Sequence, residues 1–165
     1  MEKSKIISLR KLKELDKKLL KHLIIDSSQS FNQIATKLNT TRQYISQRIR
    51  KLKENDIIDT FSIRINTSII EEMQVIAYIL FREDPNPEIR KIDEEKLKRI
   101  PQISEIYRLF GKYDGILKIY TKDLKELTNI MHKIHDIDGI KETETFIIHD
   151  IIKENKLGPI LSLLD

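Results

Sequence analysis

Residues 30–56 constrain the fold most strongly, because they have the pattern of two short helices joined by a tight polar turn. The first segment, SFNQIATKLN, places its apolar residues on one helical face. In the second, TTRQYISQRIRKLKEN, the residues Ile45, Ile49 and Leu52 recur at helical spacing. Asn39 falls in the turn, and asparagine tolerates the left-handed backbone conformation that such a turn requires. The stretch is therefore predicted to form a helix-turn-helix.

The polar residues that the second helix leaves outside its apolar stripe are of types that bind DNA. Arginine and glutamine make paired hydrogen bonds to guanine and adenine edges in the major groove, whereas lysine contacts phosphate without regard to sequence. A tyrosine in the same helix could stack on a sugar or a base, although packing within the protein explains it equally well. The alternative for the whole set is a helix face that only meets solvent. We predict DNA contacts for Arg42, Gln43, Tyr44, Ser46, Gln47, Arg50, Lys51 and Lys53.

The charge distribution divides the chain into two parts. Residues 1–65 contain 15 Lys and Arg against 7 Asp and Glu, whereas residues 66–165 contain 15 against 19. The net charge of +4 is therefore the sum of +8 and −4. Only the first part is suited to a phosphate backbone.

The composition argues against several classes of function. The chain has no cysteine, so disulfides, thiolate metal sites and thiol nucleophiles are excluded. No apolar run approaches the ~18–20 residues of a membrane span, and the N-terminus lacks a signal-peptide core, so the cytoplasm is the expected location. His132 and His135 lie three positions apart, but without an obvious third ligand we predict no metal site. No phosphate-binding loop or nucleophile motif occurs, so neither an enzyme nor a cofactor is predicted.

The flanking segments complete an α+β fold. An amphipathic helix is predicted over residues 9–25, and residues 59–65 alternate with period two as a connecting strand. The rest reads strand, helix, strand, strand, helix, strand, which is typical of a ferredoxin-like sandwich. The predicted boundaries are 1–58 for the N-terminal three-helix domain of helix-turn-helix or winged type, 59–73 for the connecting strand and hinge, 74–153 for the ferredoxin-like ligand-binding and oligomerisation domain, and 154–165 for a C-terminal tail.

A ferredoxin-like sheet carries both helices on one face and leaves the other face uncovered. We expect Tyr78, Leu80, Tyr107 and Ile119 to make parts of the open face apolar. An apolar open face predicts a partner, most simply a second copy of the chain.

The order of these elements resembles that of the Lrp/AsnC family (leucine-responsive, or feast/famine, transcription regulators). The similarity runs without large gaps from about residue 15 to residue 153. Where the family often has glycine, this chain has Asn39 and Asp56, and both residues tolerate positive φ. The landmarks that carry the resemblance are Leu15-Asp16, Ile34-Ala35, Arg48-Ile49-Arg50-Lys51-Leu52, Gly111-Lys112-Tyr113-Asp114 and Thr143-Glu144-Thr145.

The resemblance implies a sequence-specific transcriptional regulator that binds a pseudo-palindromic operator in double-stranded DNA as a homodimer, with assembly of dimers into an octamer left open. It also implies an effector, an amino acid or related small metabolite, bound between C-terminal domains. On the residues alone, a tight turn followed by ordinary strand threonines competes with this interpretation. The predicted effector residues are Gly111, Tyr113, Asp114, Thr143 and Thr145.

Three other functions stay open at this point. An amino-acid-sensing subunit that controls an enzyme could use the same ferredoxin-like fold, but it would leave the basic helices without a role. An RNA-binding domain also has the order βαββαβ, but residues 116–119 do not supply the stacked aromatics of such domains. A nonspecific, chromatin-like DNA-binding protein would differ in its ratio of specific to nonspecific affinity.

Overall fold

The computed structural model describes residues 6–165, and these divide into two units. One unit contains the described residues up to Ile63 together with Lys153–Asp165, and the other comprises Arg64–Ile152. Residues 1–5 of the predicted first domain lie outside the described residues. The elements are α1 (Glu14–Ile25), α2 (Phe31–Lys37), α3 (Arg42–Glu54), β1 (Val75–Glu83), α4 (Pro87–Lys98), β2 (Ile103–Arg108), β3 (Gly115–Thr121), α5 (Leu124–His135), β4 (Ile140–Ile147) and α6 (Gly158–Leu163).

Local sequence signals account for the helix-turn-helix of the first unit. Ser30 and Gln33 form a reciprocal capping box at the start of α2. Asn39 and Asp56 both have positive φ, at 50° and 55°, so the predicted left-handed positions are confirmed. The helices enclose a core of buried aliphatic residues from α1, α2 and α3: Leu19, Leu20, Leu23, Ile34, Ala35, Ile45, Ile49 and Leu52.

Two predictions about the first 65 residues are wrong. The first helix begins at Glu14 rather than near residue 9, because Leu12 and Lys13 are extended and only Leu9–Lys11 forms a short 3-10 turn. Residues 59–65 form no strand within the described chain, although their alternation is suited to one. A strand needs a hydrogen-bonding neighbour, and none of the paired strands includes this segment. Its apolar side chains are exposed, with Ile63 82% accessible.

The second unit is the predicted ferredoxin-like sandwich. Its sheet has the order β2-β3-β1-β4 with every pairing antiparallel. One face of the sheet packs against both helices in a single apolar core, which takes Leu97 from α4 and Leu127, Ile130 and Ile134 from α5. The sequence predicts a long last strand, from Ile140 to about Ile152, but the strand ends at Ile147.

The open face differs from the prediction at one residue. Tyr78 is paired with Lys118, so the side chains of Lys118 and Tyr120 share the face of Tyr78. Ile119 points the other way and is completely buried in the core beneath the helices. Tyr107 lies on the open face as predicted, and Phe146 joins it from β4, paired with Tyr78. These two residues are 54% and 47% exposed, so the face carries accessible aromatic side chains in the single chain, beside Glu144 and the buried Lys118.

Candidate DNA-binding surface and effector site

The orientation of α3 follows from its cap and its buried stripe. The Thr41 side chain accepts a hydrogen bond from the main-chain N–H of Tyr44 at 3.2 Å and so caps the helix. Ile45, Ile49 and Leu52 are buried, with 0%, 5% and 2% of their surfaces accessible. Because these residues occupy one face, the opposite face of α3 is directed to solvent.

Six of the eight predicted DNA-contacting residues lie together on that outer face. They line one open concavity at the start and middle of α3: Arg42, Gln43, Tyr44, Ser46, Gln47 and Arg50. Within residues 6–165, the side chains of Arg42, Gln43, Ser46 and Gln47 have no intramolecular hydrogen-bond partner. Arg50 makes only a 3.7 Å ion pair with Glu54, both side chains being exposed. This surface therefore presents donors and acceptors that no other side chain or main-chain group of the described residues occupies.

The inner side of α3 is fixed by an ion pair that the sequence analysis missed. Arg48 donates from Nε to Oδ1 of Asp16 at 2.7 Å, and a second guanidinium nitrogen bonds the other carboxylate oxygen. Asp16 is buried in the first turn of α1, and its hydrogen bond raises the pKa of Arg48. The two-pronged contact ties α3 to α1 and holds the outer face of α3 in position.

The two predicted phosphate-binding lysines lie apart from this concavity. Lys51 lines a second groove together with Leu12 and Asn55, on the Arg48 side of α3. Lys53 holds its ammonium 4.9 Å from the centre of the Phe61 ring, a cation–π contact with the segment that follows the domain. Both lysines are exposed on the flanks of α3.

The predicted effector residues do not form one cluster in the second unit. Thr143 and Thr145 pair with Phe81 and Ile79 of β1, whose side chains point into the helix-covered core. Accordingly Thr143 Oγ1 lies 2.7 Å from Nε2 of His135, and Thr145 donates to Met131 Sδ at 3.7 Å. These threonines therefore face α5.

Tyr113 lies with Glu144, on the other face of β4. The Tyr113 hydroxyl donates to the Glu144 carboxylate at 2.5 Å, and Lys112 sits 4.9 Å from the Tyr113 ring centre. Gly111 precedes them with φ of 155°, a conformation that L side chains rarely adopt. Glu144 was not predicted, yet strand alternation signals it, because adjacent strand residues point to opposite faces.

Asp114 is largely engaged within the chain. Its Oδ2 accepts the main-chain N–H of Glu83 at 3.1 Å, and its Oδ1 lies 3.4 Å from a guanidinium nitrogen of Arg90. Arg90 and Arg108 also contact the buried Glu83 carboxylate at 3.4 and 3.0 Å. Burial raises the pKa of Glu83, and Arg108 and Arg90 oppose that effect. Asp114 thus bridges the turn after β2 to the end of β1, and its contact to Arg90 is long for a hydrogen bond.

The described residues contain neither a candidate membrane span nor a candidate metal cluster. No helix in the described part of the chain combines the length and the apolar composition that a bilayer crossing needs. Across residues 6–165, no three His, Asp or Glu side chains are grouped so that they could hold a metal ion.

Comparison with known proteins gives matches along most of the chain. Residues 12–53 match the AsnC-type helix-turn-helix domain, and residues 77–157 match the Lrp/AsnC ligand binding domain. The HTH-type transcriptional regulator FL11 of Pyrococcus horikoshii is 32% identical over 151 residues, which cover 90% of this chain and 97% of that protein. FL11 of Pyrococcus furiosus is 29% identical with the same coverage.

Solved structures of regulators share the fold. AsnC of E. coli matches with a TM-score of 0.80 at 21% identity, covering 88% of this chain and 97% of that one. A complex of a Neisseria meningitidis transcriptional regulator with L-Met matches with a TM-score of 0.83 at 14% identity, covering 91% and 99%. The helix-turn-helix match falls within the first unit, and all but the last five residues of the ligand-binding match fall within the second. This protein therefore belongs to the Lrp/AsnC family of helix-turn-helix, DNA-binding transcriptional regulators.

Proposed function

We propose that the protein binds specific operator sequences through the outer face of α3 and that an amino acid or related small metabolite tunes this binding. The observation that carries the proposal of operator binding is the set of exposed side chains on α3 that have no partners among the described residues. The side chains of Arg42, Gln43 and Gln47 match guanine and adenine edges. Because the same helix is tied to α1 through Arg48 and Asp16, these side chains are displayed from a fixed base.

A gel-shift titration on DNA from the protein's own promoter tests this half. A base contact of this kind contributes about 1–3 kcal/mol, so Arg42→Ala should weaken specific binding by about 5- to 150-fold. Arg99→Ala is the matched control, because it removes the same charge from an exposed position in the second unit. Equal effects of the two substitutions would contradict base recognition by α3.

We propose that the operator is pseudo-palindromic, because a homodimer would place two α3 helices on successive turns of DNA. The open sheet face supports the dimer, since Tyr107 and Phe146 are exposed there as large apolar side chains. Phe146→Glu should then halve the mass measured by light scattering of a dimer, whereas the exposed α5 variant Lys133→Glu should not. An unchanged mass for Phe146→Glu would contradict pairing through this face. The same measurement distinguishes a dimer from an octamer.

We propose an amino-acid effector at Gly111, Tyr113 and Asp114, now with Glu144 added. Thr143 and Thr145 lie on the other face of β4, toward α5, and are left out of this site. The match of residues 77–157 to a ligand-binding domain supports it, as does the L-Met complex of the Neisseria regulator. A thermal-shift screen of the twenty L-amino acids tests the proposal, with Asp114→Asn and Glu144→Gln compared against Asp136→Asn. The site variants should lose the ligand-induced shift. If no amino acid shifts the transition, or the shift survives both site variants, the assignment is wrong.

One structural feature bears on the RNA-binding alternative. Tyr78 lies on the open face of one central strand, as predicted, and Tyr120, which was not predicted there, lies on the same face of the other. Their rings are already engaged by the buried Lys118, with its ammonium 5.9 and 5.2 Å from their centres. Both rings are half-buried rather than free for stacking. The arrangement therefore favours DNA, and filter binding of duplex DNA against single-stranded RNA distinguishes the two.

A further inference from the structure

The end of the chain returns to the DNA-binding unit. The residues Lys153–Asp165 group with the helix-turn-helix rather than with the sheet. Leu164, just after α6, is only 3% exposed and belongs to the same apolar cluster as the helix-turn-helix core. Ile160 packs against this cluster from within α6. Beyond Leu164, the Asp165 carboxylate forms an ion pair with Lys21 of α1.

The sequence of α1 explains why a further helix is needed there. Leu19 and Leu23 form one apolar stripe, and Leu20 and Ile24 form a second stripe about 100° around the helix. Leu20 is nevertheless buried, with only 7% of its surface accessible. Lys21, the residue next to Leu20, is the one that reaches Asp165. We infer that α6 covers the second stripe, so the DNA-binding unit has four helices rather than three.

This helix lies outside both family matches. The ligand-binding match ends at residue 157, and α6 begins at Gly158. The chain passes between the two units twice, once after Ile63 and once after Ile152. Ten residues separate the end of β4 at Ile147 from the start of α6, and these span at most about 35 Å when extended.

We propose that α6 is a strap that docks on α1 of its own chain. It thereby links β4, the last strand of the ligand-binding unit, to α1, the helix that holds α3 through Asp16. The contacts run in series within the first unit. The Lys21–Asp165 pair and Leu164 hold α6 to α1, and Asp16 of α1 holds Arg48 of α3. Because β4 carries Glu144, the proposed effector site is joined by the chain itself to α6, and α6 contacts α1, so this connection does not use residues 59–66.

Zero-length carbodiimide coupling tests the docking without any substitution, since it joins an ammonium directly to a carboxylate in contact. We expect a Lys21–Asp165 product in the full chain, with the Lys98–Glu95 pair at 2.7 Å as the internal positive control. A mixture of unlabelled and ¹⁵N-labelled protein shows which chain each residue comes from. Cross-linked peptide pairs in which both peptides carry the same nitrogen isotope come from one chain and support the strap. Pairs that join a labelled peptide to an unlabelled one show coupling between two chains and overturn the proposal. The absence of a Lys21–Asp165 product, when Lys98–Glu95 does couple, also overturns it.

Hydrogen exchange tests the effect on the DNA-binding unit. Leu164→Asp should speed exchange of the α1 and α3 amides by about tenfold or more, because it frees the docked helix. The neighbouring variant Leu163→Asp places the same charge on a residue that is 39% exposed and should have little effect. Exchange in β1 and β3 should not change in either variant, which separates loss of the strap from general misfolding. Equal exchange of α1 in the two variants would overturn the proposal.

Discussion

The ion pair between Arg48 and Asp16 allows the sharpest energetic prediction. Arg48→Met removes the guanidinium but keeps the length of the side chain, and it leaves the Asp16 carboxylate, 3% exposed, without its partner. Breaking a buried pair in this way costs about 3–5 kcal/mol. The lower end applies, because the Arg48 side chain is 15% exposed and Asp16 lies in the first turn of α1, where the helix dipole stabilises an anion by about 0.3–1 kcal/mol.

Native-state hydrogen exchange is the suitable assay, because a chain with two units does not unfold as one two-state system. A loss of about 3 kcal/mol corresponds to about 150-fold faster exchange, at 1.36 kcal/mol per factor of ten, for α1 and α3 amides that exchange through opening of the unit. Asp16→Leu with Arg48→Met should return exchange close to wild type, since no unpaired charge is left buried. The control Arg50→Met changes a side chain that is 71% exposed, and it should cost under about 0.5 kcal/mol.

The double substitution decides whether the reasoning is right. If the double variant is as unstable as Arg48→Met alone, the cost does not come from an uncompensated Asp16. If Arg48→Met exchanges like wild type, the pair does not hold α3 to α1.

Two further substitutions test the turn and the buried acid. Asn39→Ala should lower the free energy of unfolding of the first unit by about 1 kcal/mol, because φ at this position is 50°. Asn39→Gly should leave it unchanged or raise it. Equal hydrogen-exchange rates for the α2 amides in the two variants would contradict this prediction. Asp93 is 1% exposed, its Oδ2 has no hydrogen-bond partner among residues 6–165, and burial raises its pKa. The folded protein is therefore destabilised as pH rises from about 4, the pKa of an unfolded Asp, through the raised pKa of Asp93, because the buried carboxyl must then ionise. Asp93→Asn removes this charge, so it should raise the melting temperature at pH 8 but not at pH 4. The exposed Glu95→Gln should not reproduce this gain, and a gain for Asp93→Asn that is equal at both pH values would refute the account.

Local patterns predicted the helix-turn-helix well. The capping box at Ser30, the cap at Thr41 and the left-handed Asn39 each depend on residues a few positions apart, so their physics can be read from the sequence. The exposed face of α3 followed from its apolar stripe for the same reason. Long-range contacts were not predictable in this way. Asp16 and Arg48 are 32 positions apart, and Lys21 and Asp165 are 144 apart.

In the sheet, one strand end was wrong, that of β4, and the other errors came from strand faces. Ile119 was placed on the open face because period two alone does not say which face is covered. Only the pairing of Tyr78 with Lys118 assigns the faces of β3. The same ambiguity grouped Thr143 and Thr145 with Tyr113, whereas the threonines face α5 and Tyr113 bonds the intervening Glu144. Residues 59–65 have the pattern of a strand, but a pattern cannot supply the neighbour that a strand needs.

Selection of bound duplexes from a random DNA pool tests most directly whether the outer face of α3 reads sequence. The wild-type chain should enrich a motif of two inverted half-sites about one helical turn apart. Gln43→Ala with Gln47→Ala should lose that motif while retaining salt-dependent binding to any duplex. A pool that stays random with the wild-type chain, or a motif that persists unchanged in the double variant, would contradict recognition by α3.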